Sequence, residues 1–476
     1  MDPLATARLF VEIGRLRRRE RRPRHRLLEL QARRLAETRS HALKASPFYR
    51  RFHGAAADGP YDRLPVLTKG AAMDAFDELV TDPRVRLADV RRHADRLDPH
   101  PYLGRFLIVE TSGSTGQPGV FVLDPAAWLS VLASISRSRE WAGGMLRPWK
   151  RTRTASVTMN HPAAISFQLA TSMRSWWVPL LALDAAQPRA EIVQQLNAWQ
   201  PEMLVVYASA GRQLAEEQLQ GRLAIKPRLT FTTAEVQTPE TRRLMAQAFG
   251  SAPFNRYSTT ETGDLAAECA EGRRMHLFED TAMVEVVDAD NRPVPLGEWG
   301  TRVLVTPFHN RLQPLIRYEL SDQIRLSDEP CPCGRAFLTV DGIHGRVEEQ
   351  FRLPALRGTG IVDVHGLVLE TPVESLPVSG FQLIQAGDAL TIRLERYRGE
   401  LSDAAIIERV EDTLREQGAR ASRITIERVE EIPRGPGNKA PRMTRVSTTD
   451  AGATPGAGDA PDVDDEPGAG DSPPAA

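Results

Sequence analysis

The sequence predicts an α/β fold with two structured parts. The first is a large N-terminal unit of parallel or mixed sheets with helices and a β-rich subdomain. The second is a small α+β unit toward the C-terminus. Three observations predict this. Between 126 and about 250, short apolar runs alternate with amphipathic helical stretches, the pattern of a parallel sheet covered by helices. From 281 to 327 the runs stay short and are broken by Pro293, Pro295, Gly297 and Gly300. Residues 380–446 then supply two runs, one helix and a further run, enough for a separate small unit.

In chain order, 26–53 reads as helical and ends near Ser46-Pro47, because the residue before a proline is pushed out of the helical region. Residues 106–109 read as a strand. Strands are expected at 154–159, 203–207 and 228–232, and helices at 162–173, 190–199, 210–219 and 239–249. The β-rich part has strands at 283–287, 302–306, 315–318 and 323–326. The small unit has strands at 381–384, 390–394 and 424–429 around a helix at 404–417. Residues 345–365 join the two parts. The boundaries are accordingly drawn at 1–345, 346–446 and 447–476. The last segment holds seven acidic and no basic residues among Gly, Ala, Pro, Ser and Thr, a composition that cannot bury a core.

At 476 residues and 41% hydrophobic, the chain can build large cores. Net charge is −1, yet residues 1–53 carry 15 Lys/Arg against 5 Asp/Glu, or +10. The run from Arg15 to Arg22 has no interleaved aromatics, which argues against nucleic acid. Leu27, Leu28, Leu30 and Leu35 nearby suggest an amphipathic helix whose wet face is basic. No apolar run approaches the ~18–20 residues of a membrane span, and no apolar secretory segment opens the chain. A cytoplasmic enzyme-sized protein is expected. Basic residues are 56 Arg and only 5 Lys, so a lysine at a special position stands out.

The most informative stretch is Thr111-Ser112-Gly113-Ser114-Thr115-Gly116-Gln117-Pro118-Gly119. Its glycines let the backbone curl, and its N–H groups and hydroxyls suit an anion. It lacks the Gly-Lys-Ser/Thr of a P-loop. Four other constellations follow. Tyr257-Ser258-Thr259-Thr260-Glu261 combines a ring for a base with a carboxylate for Mg²⁺. Asp322, closing Arg317-Tyr318-Glu319-Leu320-Ser321-Asp322, can accept the hydroxyls of a ribose. Gly345-Arg346-Val347-Glu348 could hinge two parts. Pro433-Arg434-Gly435-Pro436-Gly437-Asn438-Lys439 is a mobile loop that could swing a lysine into a site. Each, read alone, is also an ordinary polar turn or chain end.

All three cysteines can act together. Cys331-Pro332-Cys333 lies about 55–60 residues beyond Cys269 and His276. Three thiolates and one imidazole make a closed tetrahedral zinc set. Incidental buried thiols remain the alternative.

The order of these pieces resembles the acyl-adenylate-forming superfamily, and within it the phenylacetate–CoA ligase-like branch. The resemblance covers about residues 35–445. It also takes in Ser46-Pro47-Phe48-Tyr49-Arg50, Leu64-Pro65-Val66-Leu67-Thr68-Lys69 and Cys331-Pro332-Cys333-Gly334-Arg335. It implies a carboxylate attacking the α-phosphorus of ATP, release of pyrophosphate, and acyl transfer to a thiol, usually of coenzyme A. It implies that Ser112, Gly113, Ser114, Thr115 and Gly116 hold phosphates, and that Thr260 and Glu261 bind phosphate and Mg²⁺. Tyr257 and Glu235, the latter in Thr232-Thr233-Ala234-Glu235, would lie beside adenine. Asp322 would hold the ribose with Arg346 nearby, Glu348 would be the hinge and Lys439 the adenylation lysine. Cys269, His276, Cys331 and Cys333 would hold Zn²⁺.

Four departures stand out: Gln117 for the usual Lys, Ser258 for Gly, Glu348 for Asp, and a 351–366 stretch unlike the usual thioester-step loop. The last leaves the acceptor open between coenzyme A, a carrier-protein thiol and an amine. A non-catalytic nucleotide-binding protein on the same scaffold is the other reading. The acid pocket is expected from 141–167 and 207–235, with Trp141, His161, Phe167, Trp176, Trp177 and Tyr207 as candidates for an aromatic or apolar site; the competing reading makes most of them core and His161 a satisfied loop residue. A homodimer is left open.

Overall fold

The computed structural model describes residues 3–96, 100–111, 118–145, 150–346, 350–365, 369–370, 372–373, 376–378, 380–433 and 443–446. The hydroxyl–glycine segment 112–117, Glu348, Lys439 and the acidic tail lie outside the described residues.

Three helices open the chain: α1 (Pro3–Arg19), α2 (Arg24–Ala45) and α3 (Pro47–His53). The first was not anticipated. Its inward stripe is short, Leu9, Ile13 and Leu16 at i, i+4, i+7, and all three are buried in the main core. The arginine run divides around it. The Arg17 guanidinium donates to Glu140 through two nitrogens, at 2.8 and 2.5 Å, while Arg21 and Arg22 fall at the turn before α2. On α2, Leu27 and Leu30 face inward and Leu28 is exposed. Ser46 ends α2 and caps α3, accepting from the Tyr49 N–H, with Pro47 at the first helical position.

Next come α4 (Lys69–Asp74), α5 (Phe76–Leu79), α6 (Leu87–Asp95), and the hairpin β1 (Leu107–Glu110) and β2 (Val120–Leu123). A buried helix, α7 (Pro125–Trp141), leads into the alternating part. That part runs β3 (Thr154–Thr158), α8 (Ile165–Met173), β4 (Leu180–Asp184), α9 (Arg189–Trp199), β5 (Met203–Tyr207), α10 (Ala208–Leu219), β6 (Leu229–Thr233) and α11 (Pro239–Phe249). Then follow β7 (Phe254–Thr259), β8 (Gly263–Glu268), β9 (Met275–Leu277), β10 (Ala282–Val287), β11 (Arg302–Pro307), β12 (Tyr318–Leu320), β13 (Asp322–Ser327) and β14 (Thr339–Arg346).

The central sheet has nine strands in the order β13-β14-β9-β8-β7-β6-β5-β3-β4. The run β7-β6-β5-β3-β4 is parallel, as the strand–helix alternation requires, and the rest is antiparallel. Ala155, Leu204, Leu214 and Met245 pack the parallel strands against α9–α11. Strands β10-β11-β12 form a separate antiparallel sheet.

The strand expected at 315–318 is displaced to Tyr318–Leu320, because Arg317 takes a left-handed φ of 50°. Its neighbours hold it there. Its buried guanidinium pairs with Glu285 at 3.2 Å and donates to the carbonyls of Asp62 and Leu64. Leu67 exchanges backbone hydrogen bonds with Arg317 and Glu319. The Tyr49 hydroxyl donates to the Pro314 carbonyl at 2.9 Å and accepts from the Ile316 N–H at 3.0 Å. The two front motifs of the sequence thus brace the segment that delivers Asp322.

The segment 350–365, expected as a connector, is a hairpin of β15 (Gln350–Pro354) and β16 (Ile361–His365). Phe351, Leu353 and Val364 belong to a third core with Phe381, Leu383, Ile392 and Ile406. That core also draws on β17 (Gly380–Ala386), β18 (Ala389–Glu395), α12 (Asp403–Glu416) and β19 (Ile424–Val429), and β20 (Met443–Val446) pairs with β17 along the backbone. The sheet order is β19-β18-β17-β20. No helix among the described residues is long and apolar enough to cross a membrane.

Candidate active site

Parallel strands present their carboxyl ends on one side of the sheet, and loops from several strands meet there. In this chain they enclose a cavity of about 620 Å³. Its lining includes Thr111, Glu235, Tyr257, Thr260, Glu261 and Asp322, brought from β1, β6, β7 and β13 and the turns beside them. Five of these were singled out from sequence as nucleotide ligands, and Thr111 opens the hydroxyl–glycine stretch.

Each is held by identifiable neighbours. Ala234, just past β6, is left-handed with φ 63°. Beyond it the Glu235 carboxylate accepts from the Ser209 N–H at 2.7 Å and the Ser209 hydroxyl at 3.0 Å. That ties it to the first turn of α10, where a carboxylate is favoured by the helix dipole. The buried Tyr257 hydroxyl donates to Asp322 Oδ2 at 2.8 Å. The β13–β14 ladder pairs Asp322 with Arg346 along the backbone, so three predicted ligands converge on one corner of the sheet.

The Thr260–Glu261–Thr262 turn joins β7 to β8 and is closed by pairing of Thr259 with Gly263. Gly263 has φ 79°, and a Cβ there would lie 2.8 Å from Val131 Cγ1 on α7. Glycine is needed for both reasons. Ser258, one of the departures from the pattern of the resemblance, donates to Asp264 Oδ1 at 2.5 Å. Asp264 is buried, receives the Ser138 hydroxyl on its other oxygen at 2.5 Å, and lies 3.8 Å from Arg256. The hydroxyl thus fastens the tyrosine strand to the helix beneath it.

The ends of the hydroxyl–glycine stretch are also fixed. Thr111 donates its N–H to the Gly119 carbonyl at 2.9 Å, and its hydroxyl accepts from the Gly119 N–H at 2.7 Å. Glu110, beside it, lines the cavity, and burial together with the charge of Asp95 raises its carboxyl above the usual range. Glu110 was not singled out from sequence; its position next to Thr111 was the available signal.

The candidates for an aromatic acid pocket divide, and most fall on the alternative reading. Of Trp141, His161, Phe167, Trp176, Trp177 and Tyr207, Tyr207 alone lines the cavity. Trp141 is buried elsewhere, edge-on to His276 and Phe278, and Trp176 is exposed. The apolar wall comes instead from residues such as Met159, Ile165, Leu169, Met173 and Leu180.

Cys269, His276, Cys331 and Cys333 form a second cluster, with their ligand atoms all within 4.8 Å of one another. Cys269 Sγ lies 3.6 Å from Cys331 Sγ, and Cys333 Sγ lies 3.2 Å from His276 Nε2. Tetrahedral zinc with Zn–S near 2.3 Å sets its sulfurs roughly 3.8 Å apart, so the spacing suits a shared cation. Burial pushes the Cys331 thiol up to about 12. Gly272 makes room for it, since a Cβ at that position would collide with Cys331 Sγ. None of the four lines the cavity.

No protein-family model matches the chain. Over 414 residues it is 25% identical to the phenylacetate–coenzyme A ligase of Thermus thermophilus, covering 83% of this chain and 84% of that one. It is 22% identical over 252 residues to Protein CapK of Staphylococcus aureus, covering 52% and 54% of the two chains. A solved 2-hydroxyisobutyryl-CoA ligase in its postadenylation state matches with a TM-score of 0.70 at 20% identity, covering 90% of this chain and 91% of that one. The same enzyme in its thioesterification state, with the acyl-AMP and CoA, matches at 0.60, again at 20% identity and covering 90% and 92%. The fold is that of the solved 2-hydroxyisobutyryl-CoA ligase, and the sequence is similar to that of a phenylacetate–coenzyme A ligase.

Proposed function

We propose that the chain is an AMP-forming acid–thiol ligase. The observation that carries this reading is the convergence of Glu235, Tyr257, Thr260, Glu261 and Asp322 on one cavity, beside the foot of the hydroxyl–glycine stretch. A carboxylate oxygen attacks the α-phosphorus of ATP, the bond to the β-phosphate oxygen breaks, and pyrophosphate leaves. A thiolate then displaces AMP from the acyl carbon. The cavity holds the nucleotide and the acid together, which turns the first step into an intramolecular one.

In this reading Tyr257 and Glu235 flank adenine, Asp322 accepts the ribose hydroxyls, and Thr260 orients a phosphate. Glu261 holds Mg²⁺, which neutralises charge on the phosphate oxygens. Ser112, Gly113, Ser114, Thr115 and Gly116 cradle the β- and γ-phosphates, and Arg346 supports the ribose corner. Residues 346–446 act as a lid that turns about Glu348 and brings Lys439 to the α-phosphate. Coenzyme A is the acceptor this reading favours. Cys269, His276, Cys331 and Cys333 would hold a structural zinc, since three thiolates and an imidazole at those spacings make a closed tetrahedral donor set.

The test is pyrophosphate release from ATP, Mg²⁺ and a panel of carboxylic acids, followed by product analysis with coenzyme A. Acid-dependent release and acyl-CoA formation are expected. ATP binding without release for any acid would overturn the ligase in favour of a non-catalytic nucleotide-binding protein.

A further inference from the structure

The cavity reaches beyond the nucleotide corner. It extends to the amino ends of the parallel strands, where Thr154 and Met203 begin β3 and β5. Four residue steps at ~3.3 Å separate that level from the carboxyl end of β3, or roughly 13 Å. Arg139, in the last turn of α7, lines this deep end.

Its setting is unusual for a guanidinium. The residue is 5% exposed, and only Nη2 has a partner, the Thr152 hydroxyl at 3.1 Å. Nε and Nη1 are buried without a hydrogen-bond partner. No carboxylate pairs with it among the described residues. The contrast with Arg137, two residues earlier, is direct. Arg137 is equally buried, but it forks onto Asp280 at 2.7 and 2.8 Å. A buried guanidinium without an anion is costly, and burial, with the nearby charge of Arg228, lowers its pKa to about 10. It therefore stays cationic at neutral pH. Met203 and Phe231 complete the apolar surroundings.

Resting on the ligase reading above, we propose that the substrate acid carries a second anionic group at its far end, and that Arg139 receives it. The acid is then a dicarboxylate, or an aryl or alkyl acid with a distal carboxylate. One carboxylate is presented to ATP at the strand carboxyl ends, and the other is held at the floor. The methionine-rich wall between them fits an apolar spacer.

The experiment compares α,ω-dicarboxylic acids from glutarate to azelate with methyl-ended and hydroxyl-ended congeners of the same length. Pyrophosphate release is measured for the wild type, Arg139→Met and Arg139→Lys. Arg139→Met keeps the aliphatic stem, and its melting temperature checks the fold. Binding of the same acids is measured by calorimetry in the presence of α,β-methylene-ATP. The wild type should favour the dicarboxylates in kcat/KM by at least about tenfold, the worth of one charged hydrogen bond. Arg139→Met should lose or invert that preference, and Arg139→Lys should restore part of it. Equal use of methyl- or hydroxyl-ended acids, or a preference that survives in Arg139→Met, would overturn the inference while leaving the ligase intact. Arg139-dependent binding of dicarboxylates with no pyrophosphate release from any acid would support the anion site and sink the ligase reading. No binding and no turnover of any dicarboxylate would overturn the anion site.

Discussion

The cavity corner proposed to take the nucleotide and the cysteine cluster hang from neighbouring strands of one sheet, yet they are built on opposite plans. The corner presents side chains fastened to one another or to helix ends, by Tyr257 to Asp322 and Glu235 to Ser209, around open volume. The cluster turns its four donors toward each other, under Trp141. A reactive site has to leave capacity for a ligand that comes and goes. A structural site has to close around one that stays. Mutations should therefore separate the two: loss of turnover with the fold kept at the corner, and loss of the fold at the cluster.

The largest effect is expected at the corner. Glu261→Gln should lower acid-dependent pyrophosphate release by roughly a hundredfold or more, as removal of a charge-placing group does, with the melting temperature nearly unchanged. A fall in melting temperature that matches the loss of rate would erase the distinction. At the cluster, Cys331→Ser should remove bound zinc, read by elemental analysis as a drop from about one ion per chain, and should lower thermal stability or solubility. A metal-free wild type that is well folded would contradict the zinc assignment.

Gly263→Ala sits between the two plans, because it strains the Thr260–Glu261 turn and meets Val131. A loss of about 1–3 kcal/mol is expected in denaturant unfolding, with an accompanying rise in KM for ATP. The smallest effect is expected away from both sites. Arg17 is half-exposed, so Arg17→Gln should change stability by less than about 1 kcal/mol.

Much of this was legible in sequence wherever the signal was local. The helix at 239–249 and the strands at 203–207 and 424–429 fall where their periodicity puts them. The cavity-lining set of Glu235, Tyr257, Thr260, Glu261 and Asp322 was legible as polar strand ends in a fixed order, and the Cys/His cluster as two spaced pairs. What was hidden depends on distant partners. Arg317 breaks its strand only because Glu285 and the carbonyls of Asp62 and Leu64 wait for it. Arg137 is buried because Asp280, 143 residues later, neutralises it. In Ser136-Arg137-Ser138-Arg139, nothing local separates these arginines from a solvated face. Trp141 was a candidate for the acid pocket by type and region, and its packing against Phe278 and Phe337 makes it core instead.

The central claim is that an acid and ATP meet in one cavity to form an acyl-adenylate. The most direct measurement follows oxygen-18 from the acid's carboxylate through a complete turnover with coenzyme A. Attack at the α-phosphorus predicts that one labelled oxygen appears in AMP and none in pyrophosphate. AMP formed without label, or label recovered in inorganic phosphate, would contradict it.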